Sequence, residues 1–300
     1  MFKYDFDRLN NIFQGILKNN LAADAWKWLD QQAELIRSGG DVSKFNIAFV
    51  SMPRKTGKNI VTLSAQEESA IKDVRKGVHI TGWTADRFAR VWLLMQLNPV
   101  DRTNYVTSIE NLFLTGEMSE LVALYSSLPL LAYPEAWKKR CAEGIRSNIG
   151  QVLEAVICNN PYPSEELDES AWNQLVLKAI FTEKPVMQII GLKTRSNRRL
   201  AESLSDYAHE RWAAHRDVNP LLWSCVAPFI DERIFRDIQR IFSSKNPAER
   251  EAAALTCYES NYEPAQQLLE QHVSLKNEIS LGKLSWQSIA LKMSGNEAHA

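Results

Sequence analysis

The segment "DYAHERWAAHR", residues 206–216, combines side-chain types that are used for metal binding and for acid–base chemistry. A zinc-binding helix needs two histidines four residues apart, because only then do both imidazoles reach one metal from the same face. His209 and His215 are six residues apart, so they point about 120° apart on a helix. The segment therefore does not predict a zinc site, and we expect no metal and no other cofactor.

Arg211 in the same segment is a cation on an apolar helix face. On a helix over about residues 197–215, that face consists of Leu200, Ala201, Leu204, Tyr207, Ala208 and Trp212. An unpaired charge held out of water costs several kcal/mol, so Arg211 must pair with an acidic residue of a neighbouring helix or bind a ligand. The ion pair is the favoured interpretation. His209 falls on the polar side, where we expect it to be exposed.

An amide interrupts a second helix that is otherwise suited to burial, "AWNQLVLKAIF", residues 171–181. At roughly 100° per residue, apolar side chains cover most of its circumference, and only the side with Gln174 and Lys178 faces water. Asn173 must therefore find hydrogen-bond partners inside the protein. The nearest partner by sequence is the turn over residues 159–162. A structural clamp on that turn is favoured, and a ligand contact is the alternative.

Two basic segments could bind anions. The first, residues 51–58, contains Gly57-Lys58, but Met52 and Asn59 replace the glycine and the hydroxyl residue that a phosphate-binding P-loop requires. The second, "GLKTRSNRRL", residues 191–200, places four cations at a helix start, where they oppose the helix dipole. An acidic partner, an anion or a solvent-exposed loop would each account for it. No Ser/His/Asp or Cys/His arrangement is identified, so we assign no catalytic residue.

The elements that must position these residues are predicted to be helices along nearly the whole chain. Ser64 with Glu67 predicts a capping box, Thr84 a second helix cap, and Asn246-Pro247 a third. The best strand signal is "FNIAFVSM", which also fits a buried helix. Apolar spacing predicts the remaining helices at about residues 6–17, 21–36, 105–115, 117–127, 134–158, 170–181, 185–191, 197–215, 219–227 and 231–242.

The predicted fold class is all-α, as an irregular array of antiparallel helix pairs resembling a HEAT-like α-solenoid. A helix hairpin over about residues 246–270 supports it, because such units bury their apolar faces by stacking on neighbours. A globular helix bundle is the alternative. The expected organisation is one elongated domain over residues 1–300. Its parts are N-terminal helices over 1–125, a core over 126–242, C-terminal helix pairs over 243–293 and a disordered tail over 294–300.

Composition limits the environment and the classes of partner. The chain has 35 Lys and Arg against 36 Asp and Glu, so no overall field favours nucleic acid or an anionic membrane, and either partner would need a local patch. The four cysteines are far apart in apolar helical patterns, which indicates buried, reduced thiols. No apolar run is long enough to span a membrane. We expect a cytoplasmic protein, either free or peripheral to the inner membrane, that does not bind nucleic acid.

A long central stretch carries a family resemblance. Residues 122–181, "VALYSSLPLLAYPEAWKKRCAEGIRSNIGQVLEAVICNNPYPSEELDESAWNQLVLKAIF", followed by "DYAHERWAAHR", resemble the EboA family of bacteria and cyanobacteria. "FNIAFVSMPRKTGK" and "GWTADRFARVWLLM" fit its amino-terminal half. The resemblance implies an all-helical protein in pathways that move secondary-metabolite precursors towards the periplasm. It implies partners encoded nearby, among them a prenyltransferase-like membrane protein and proteins resembling metal-dependent hydrolases or isomerases.

The favoured function is a non-catalytic binding or scaffold protein that holds a metabolite or a pathway partner in a helical groove. The alternatives are an enzyme with His209 or Glu210 as acid or base, and a stability module in which the polar residues are purely structural. The resemblance transfers no catalytic residue. The predicted ligand-binding residues, all within its signature segments, are Asn148, Asn160, Asn173, Lys178, His209 and Arg211.

Overall fold

The computed structural model describes residues 1–39 and 42–297, and it confirms the all-α class. The chain divides into two compact units, residues 1–168 and residues 169–300. Stacking of the helices into one elongated array stays a prediction. In the first unit the α-helices are α1 Phe6–Asn20, α2 Ala23–Arg37, α3 Val42–Thr56, α4 Ala65–Val74, α5 Ala85–Met95, α6 Arg102–Thr115, α7 Met118–Ser127, α8 Lys138–Ile145, α9 Gly150–Ile157 and α10 Tyr162–Glu166. In the second they are α11 Glu169–Phe181, α12 Arg198–Ala213, α13 Glu232–Phe242, α14 Pro247–Glu259, α15 Glu263–Glu270, α16 Val273–Ser280 and α17 Trp286–Glu297.

The first unit is built around α5. Every residue of this helix except Arg87 is buried, including the charged Asp86 and Arg90. Helices α1, α2, α3 and α7 pack against it. Aromatic pairs fix two of these contacts, since Phe88 meets a ring of α1 edge-on and Trp92 meets a ring of α2. A helix enclosed by its neighbours explains why apolar side chains lie around most of the circumference of α5.

Two helix starts differ in how their free N–H groups are satisfied. At α4 the predicted capping box is confirmed, because the Ser64 hydroxyl accepts from the Glu67 N–H and the Glu67 carboxylate accepts from the Ser64 N–H. At α5 Thr84 is the N-cap residue, as predicted, but its side chain caps no N–H group. The start of this helix is held by backbone contacts, because the N–H of Ala85 donates to the Asn59 carbonyl at 2.8 Å, next to an isolated β-bridge between residues 60 and 84. The predicted side-chain bond of Thr84 is therefore wrong, and its position at the helix start is right.

"FNIAFVSM" lies inside α3, so it is helical, and the described residues contain no strand. The single helix predicted over residues 134–158 is wrong. A short 3₁₀ helix, Pro134–Trp137, leads into α8, and a turn at residues 146–149 separates α8 from α9. The break is needed because α8 folds back on α9 at Gly144. A methyl group at Gly144 would lie 2.6 Å from Val156 Cγ2, whereas twelve residues of unbroken helix span about 18 Å.

The second unit is built around α14, whose residues 252–257 are all buried. The predicted cap of this helix is confirmed, because Asn246 Oδ1 accepts from the Ala248 N–H at 3.0 Å, with Pro247 in the first helical position. Helices α13, α15, α16 and α17 pack against α14. The α-helices predicted over 185–191 and 219–227 are wrong. They are short 3₁₀ segments instead. These segments are Val186–Gln188, Pro220–Cys225 and Ala227–Phe229.

Helices α12 and α13 run in the same direction. Going up α12, Asp206 pairs with Arg233, His209 with Asp237, and Trp212 lies against the Arg240 guanidinium. In these three contacts the residue number rises along α13 as it rises along α12, so the two helices are parallel. They therefore do not form one of the antiparallel pairs of the predicted array. The long connection through the 3₁₀ segments returns the chain to the start of α13. It thereby aligns side chains of two helices on one surface.

The cysteines match the expectation of buried thiols for the most part. Cys141, Cys225 and Cys257 are buried free thiols, and Cys158 is half-buried. Burial raises the pKa of Cys225 to about 11 and that of Cys257 to about 12. Within the described residues, no helix is both long and apolar enough to cross a bilayer. Helix α17 continues to Glu297, so part of the predicted tail is helical, and residues 298–300 lie outside the described residues.

We expect Gly144→Ala to lower the free energy of unfolding by about 1–3 kcal/mol, because the added methyl group overpacks the contact between α8, α9 and Tyr125. Gly15→Ala is the matched control. It lies inside α1 with nothing within 4 Å of an added Cβ, so it should raise the stability by about 0.5–1 kcal/mol. Urea unfolding followed by circular dichroism measures both changes. Equal stability of Gly144→Ala and the wild type would contradict the close approach.

Candidate functional site

Asn160, in the first unit, is a buried clamp. Its Nδ2 donates to the carbonyl oxygens of Tyr125 and Ala155, both at 3.0 Å, and its Oδ1 accepts from the Tyr162 N–H at 3.0 Å. These bonds hold the turn after α9 against α7. Asn148 is exposed in the turn before α9. Ligand binding by these two residues stays a prediction, and the geometry of Asn160 supports a structural role.

Asn173 forms a reciprocal amide pair with Asn197, both in the second unit. Asn197 Nδ2 donates to Asn173 Oδ1 at 2.8 Å, and Asn173 Nδ2 donates to Asn197 Oδ1 at 3.2 Å. Asn197 Oδ1 also accepts from the Leu200 N–H at 3.0 Å, which caps α12. The predicted partner, the turn over residues 159–162, was therefore wrong. Asn173 thereby holds the start of α12 against α11, and its partner Asn197 is 24 residues away in sequence.

The basic segment at residues 193–199 finds acidic and aromatic partners. Lys193 pairs with Glu259 at 2.6 Å, and Arg198 pairs with Asp231 at 3.2 Å. The Arg195 guanidinium lies 4.8 Å from the ring centre of Trp172. Carboxylates thus offset at least part of the charge that opposes the α12 dipole. Lys178 is half-buried in the last turn of α11.

Arg211 closes the end of α12. Its Nε donates to the Asp217 carbonyl at 2.8 Å, and the Arg216 N–H donates back to the Arg211 carbonyl at 2.9 Å. His215 between them adopts a left-handed conformation, with φ of 55°. The ion pair that the sequence predicts is therefore replaced by a backbone contact. The half-buried Arg211 guanidinium thus stabilises the turn after α12 by donating to the carbonyl of Asp217.

Among the predicted site residues, His209 is the one whose side chain has both a carboxylate partner and an aromatic neighbour. As expected from its helix position it is exposed, with a side-chain exposure of 46%, and its Nε2 lies 2.5 Å from Asp237 Oδ1. Asp237 is buried, and its second oxygen accepts from the Ser205 hydroxyl at 2.7 Å. A carboxylate bonded in this way fixes the ring orientation, and Nε2 is then the nitrogen that carries the proton towards Asp237.

Aromatic rings and a cation surround this imidazole. The ring centres of His209 and Trp212 are 5.6 Å apart, and Trp212 stacks on the buried Trp223 at 6.1 Å. The Arg240 guanidinium lies 4.2 Å from the Trp212 ring centre, within the range of a cation–π contact. We call His209, Trp212, Asp237 and Arg240 the α12–α13 site. It presents a cation, an imidazole and an indole on one surface.

The arrangement limits the possible chemistry. Ser205 donates to the carboxylate and not to the imidazole, and it is fully buried, so His209 cannot activate it as a nucleophile. No group of three His, Cys, Asp or Glu side chains suited to a metal ion exists in residues 1–39 and 42–297. His209 Nδ1 can accept a proton, after which it can donate a hydrogen bond, and the Arg240 guanidinium can bind an anion.

The predicted site residues fall in both units. Asn160 belongs to the first unit and Arg211 to the second. Within the second unit, Asn173 meets α12 at Asn197, and Arg211 lies fourteen residues further along, about 20 Å up the helix. Sequence reasoning missed Asp237 and Arg240 altogether. The available signal was a carboxylate on the apolar stripe of α13, because Asp237 lies between Ile234 and Ile241.

The amide pair predicts a measurable coupling. We expect Asn173→Ala and Asn197→Ala each to destabilise the protein by about 1 kcal/mol, and the second more because it also removes a helix cap. The double variant should lose less than the sum, by about 0.5–1.5 kcal/mol. Asn246→Ala removes the cap of α14, and combined with Asn173→Ala it provides an additive control. Additive losses for the 173/197 pair would contradict the bond.

Comparisons with known proteins agree with the resemblance of the central motifs. A family model described as metabolite traffic protein EboA matches residues 9–227, which is more than two thirds of the chain. The match includes α11 and α12, and it ends before α13, which supplies Asp237 and Arg240. Searches of curated proteins and of solved structures gave no match. The chain belongs to the EboA family of metabolite traffic proteins.

Proposed function

We propose that this chain is a non-catalytic binding protein of a metabolite traffic pathway, and that its α12–α13 site holds an anionic metabolite. The family description supplies the pathway context. The observation that carries the proposal is the buried Asp237, which orients an exposed imidazole. Burying a carboxylate is costly, and here it fixes the ring of a residue that is itself at the surface.

Two groups of the site have unused hydrogen-bonding capacity towards solvent. His209 uses Nε2 for Asp237, and its Nδ1 has no hydrogen-bond partner among the described residues. The Arg240 guanidinium lies on the Trp212 ring, and within the described part of the chain it forms neither an ion pair nor a hydrogen bond. A guanidinium stacked on an indole keeps its N–H edge available for a carboxylate or a phosphate.

The indole between these groups favours a ligand with a flat apolar part. Trp212 is half-buried and is supported from below by Trp223, so its position is set before a ligand arrives. Preorganised aromatic and cationic groups reduce the entropy lost on binding. A planar metabolite with one carboxylate or phosphate group matches this combination. Such a ligand also fits carriage without chemical change, because the Ser205 hydroxyl is buried and donates to Asp237.

We expect wild-type protein to bind benzoate and phenyl phosphate in saturation-transfer NMR, and to bind cyclohexanol much more weakly. Arg240→Gln should weaken anion binding by about tenfold or more, because a charge-assisted hydrogen bond contributes about 1.5–3 kcal/mol. His209→Ala should weaken it as well. The matched control is Arg236→Gln on the same helix, whose exposed side chain pairs with Glu232. Equal binding by Arg240→Gln and Arg236→Gln would overturn the assignment.

The same geometry favours a second candidate function, an enzyme in which His209 acts as acid or base. An imidazole held by a carboxylate is the usual arrangement for proton transfer. Glu210, the other acid–base residue that the sequence suggests, is exposed on α12. Turnover of a pathway precursor that is lost in His209→Ala and kept in Glu210→Ala would establish this function. An inert wild-type protein that still binds the anion would exclude it.

The wider setting is also part of the proposal. A pathway protein encoded nearby, such as the prenyltransferase-like membrane protein, would receive or deliver the bound metabolite. A helical array offers long surfaces for such a scaffold role.

A further inference from the structure

Helix α3 in the first unit exposes aliphatic side chains on the face opposite its buried one. Its inner face consists of Phe45, Ala48, Phe49 and Met52, all at most 2% exposed. Ile47 is 68% exposed and Val50 is 57% exposed. At roughly 100° per residue, these two side chains and Arg54 share one outer stripe. Single exposed aliphatics are common, but two on the outer face of one helix form a local apolar stripe.

The same stretch of chain is cationic and has no acidic residue. Residues 42–66 contain Lys44, Arg54, Lys55 and Lys58, and no Asp or Glu. All four cations are exposed, and within the described residues none forms an ion pair. The net charge of the chain is only −1, so this is a local departure from balance. It is the kind of patch that an anionic partner requires.

Helix α2 extends the apolar part of this surface. The Lys55 ammonium group lies 5.7 Å from the ring centre of Trp28, which places the end of α3 beside the start of α2. Leu35 is 43% exposed and lies two turns from Trp28 on the same side of α2. The neighbouring acid, Glu34, is paired with Arg37 at 3.1 Å. We call Leu35, Ile47, Val50 and the four cations of α3 and its following loop the α3 face.

We propose that the α3 face docks reversibly on an anionic membrane surface. Aliphatic side chains among lysines and arginines are typical of helices that lie in the bilayer interface, where the apolar groups enter the acyl boundary and the cations meet lipid phosphates. A protein partner with a matching acidic groove is the competing occupant. The bilayer is favoured because exposed cations precede and follow the two aliphatic side chains along the chain, with Lys44 before Ile47 and the other three after Val50, and lipid phosphates require no specific geometry. The proposal is independent of the α12–α13 site.

The test is co-sedimentation of the full chain with vesicles. We expect binding to vesicles of equal parts phosphatidylglycerol and phosphatidylcholine, and none to phosphatidylcholine alone. Raising the salt from about 0.1 M to about 1 M should weaken binding, because the Debye length falls from about 10 Å to about 3 Å. Ile47→Ser/Val50→Ser and, separately, Arg54→Gln/Lys58→Gln should each reduce the bound fraction severalfold.

Matched controls separate the α3 face from general surface effects. Val100→Ser/Leu114→Ser removes two aliphatics that are 82% and 71% exposed elsewhere in the first unit, and Lys72→Gln/Lys76→Gln removes two other exposed cations. Both should bind like the wild type, and circular dichroism confirms that each variant is folded. Three outcomes overturn the proposal: no binding of wild-type protein to anionic vesicles, equal loss in test and control variants, or a wild-type dimer that Ile47→Ser/Val50→Ser converts to monomer.

Discussion

Arg90 is a charged side chain at the centre of a helix that its own unit encloses, and its need for acceptors constrains the packing around it. Its guanidinium donates to Asp86 on the same helix and to the Phe49 carbonyl of α3, both at 2.9 Å. Glu120 of α7 lies 3.9 Å away. Burial lowers the pKa of Arg90, and the two carboxylates oppose that change. Because a buried charge without partners is so costly, α3, α5 and α7 have little freedom to shift.

In the second unit, polar contacts between helices have a comparable role. The Asn173–Asn197 pair fixes where α12 begins, and the cap at Asn197 fixes its direction. Helix α12 then carries His209 and Trp212 to the level of Asp237 and Arg240, which is possible because α12 and α13 run in parallel. The amide therefore belongs to the frame of the α12–α13 site and not to its surface. A residue about 20 Å from the proposed ligand can matter for binding through this frame.

Local patterns predicted most of the fold. The apolar spacing of α1, α2, α11 and α13 and the caps at Ser64 and Asn246 act within one helical turn, so sequence suffices to identify them. The errors arose where distant contacts override local preference. Backbone contacts of residues 59 and 60 hold the start of α5 without a side-chain bond from Thr84, and packing at Gly144 breaks the long helix predicted over 134–158. The prediction named His209 but missed its partners, because Asp237 lies 28 residues away.

The sequence by itself determined the helical class, most helix positions and the family, because these depend on periodicity, caps and long contiguous motifs. Only the tertiary structure decided which polar side chains meet. Asn173 pairs with Asn197, His209 with Asp237, and Arg211 with a loop carbonyl. The physical reason is the distance along the chain over which a sequence pattern acts. Spacing along a helix fixes neighbours within about one turn, whereas Asn197 and Asp237 lie on other elements than their partners, so helix packing decides these contacts.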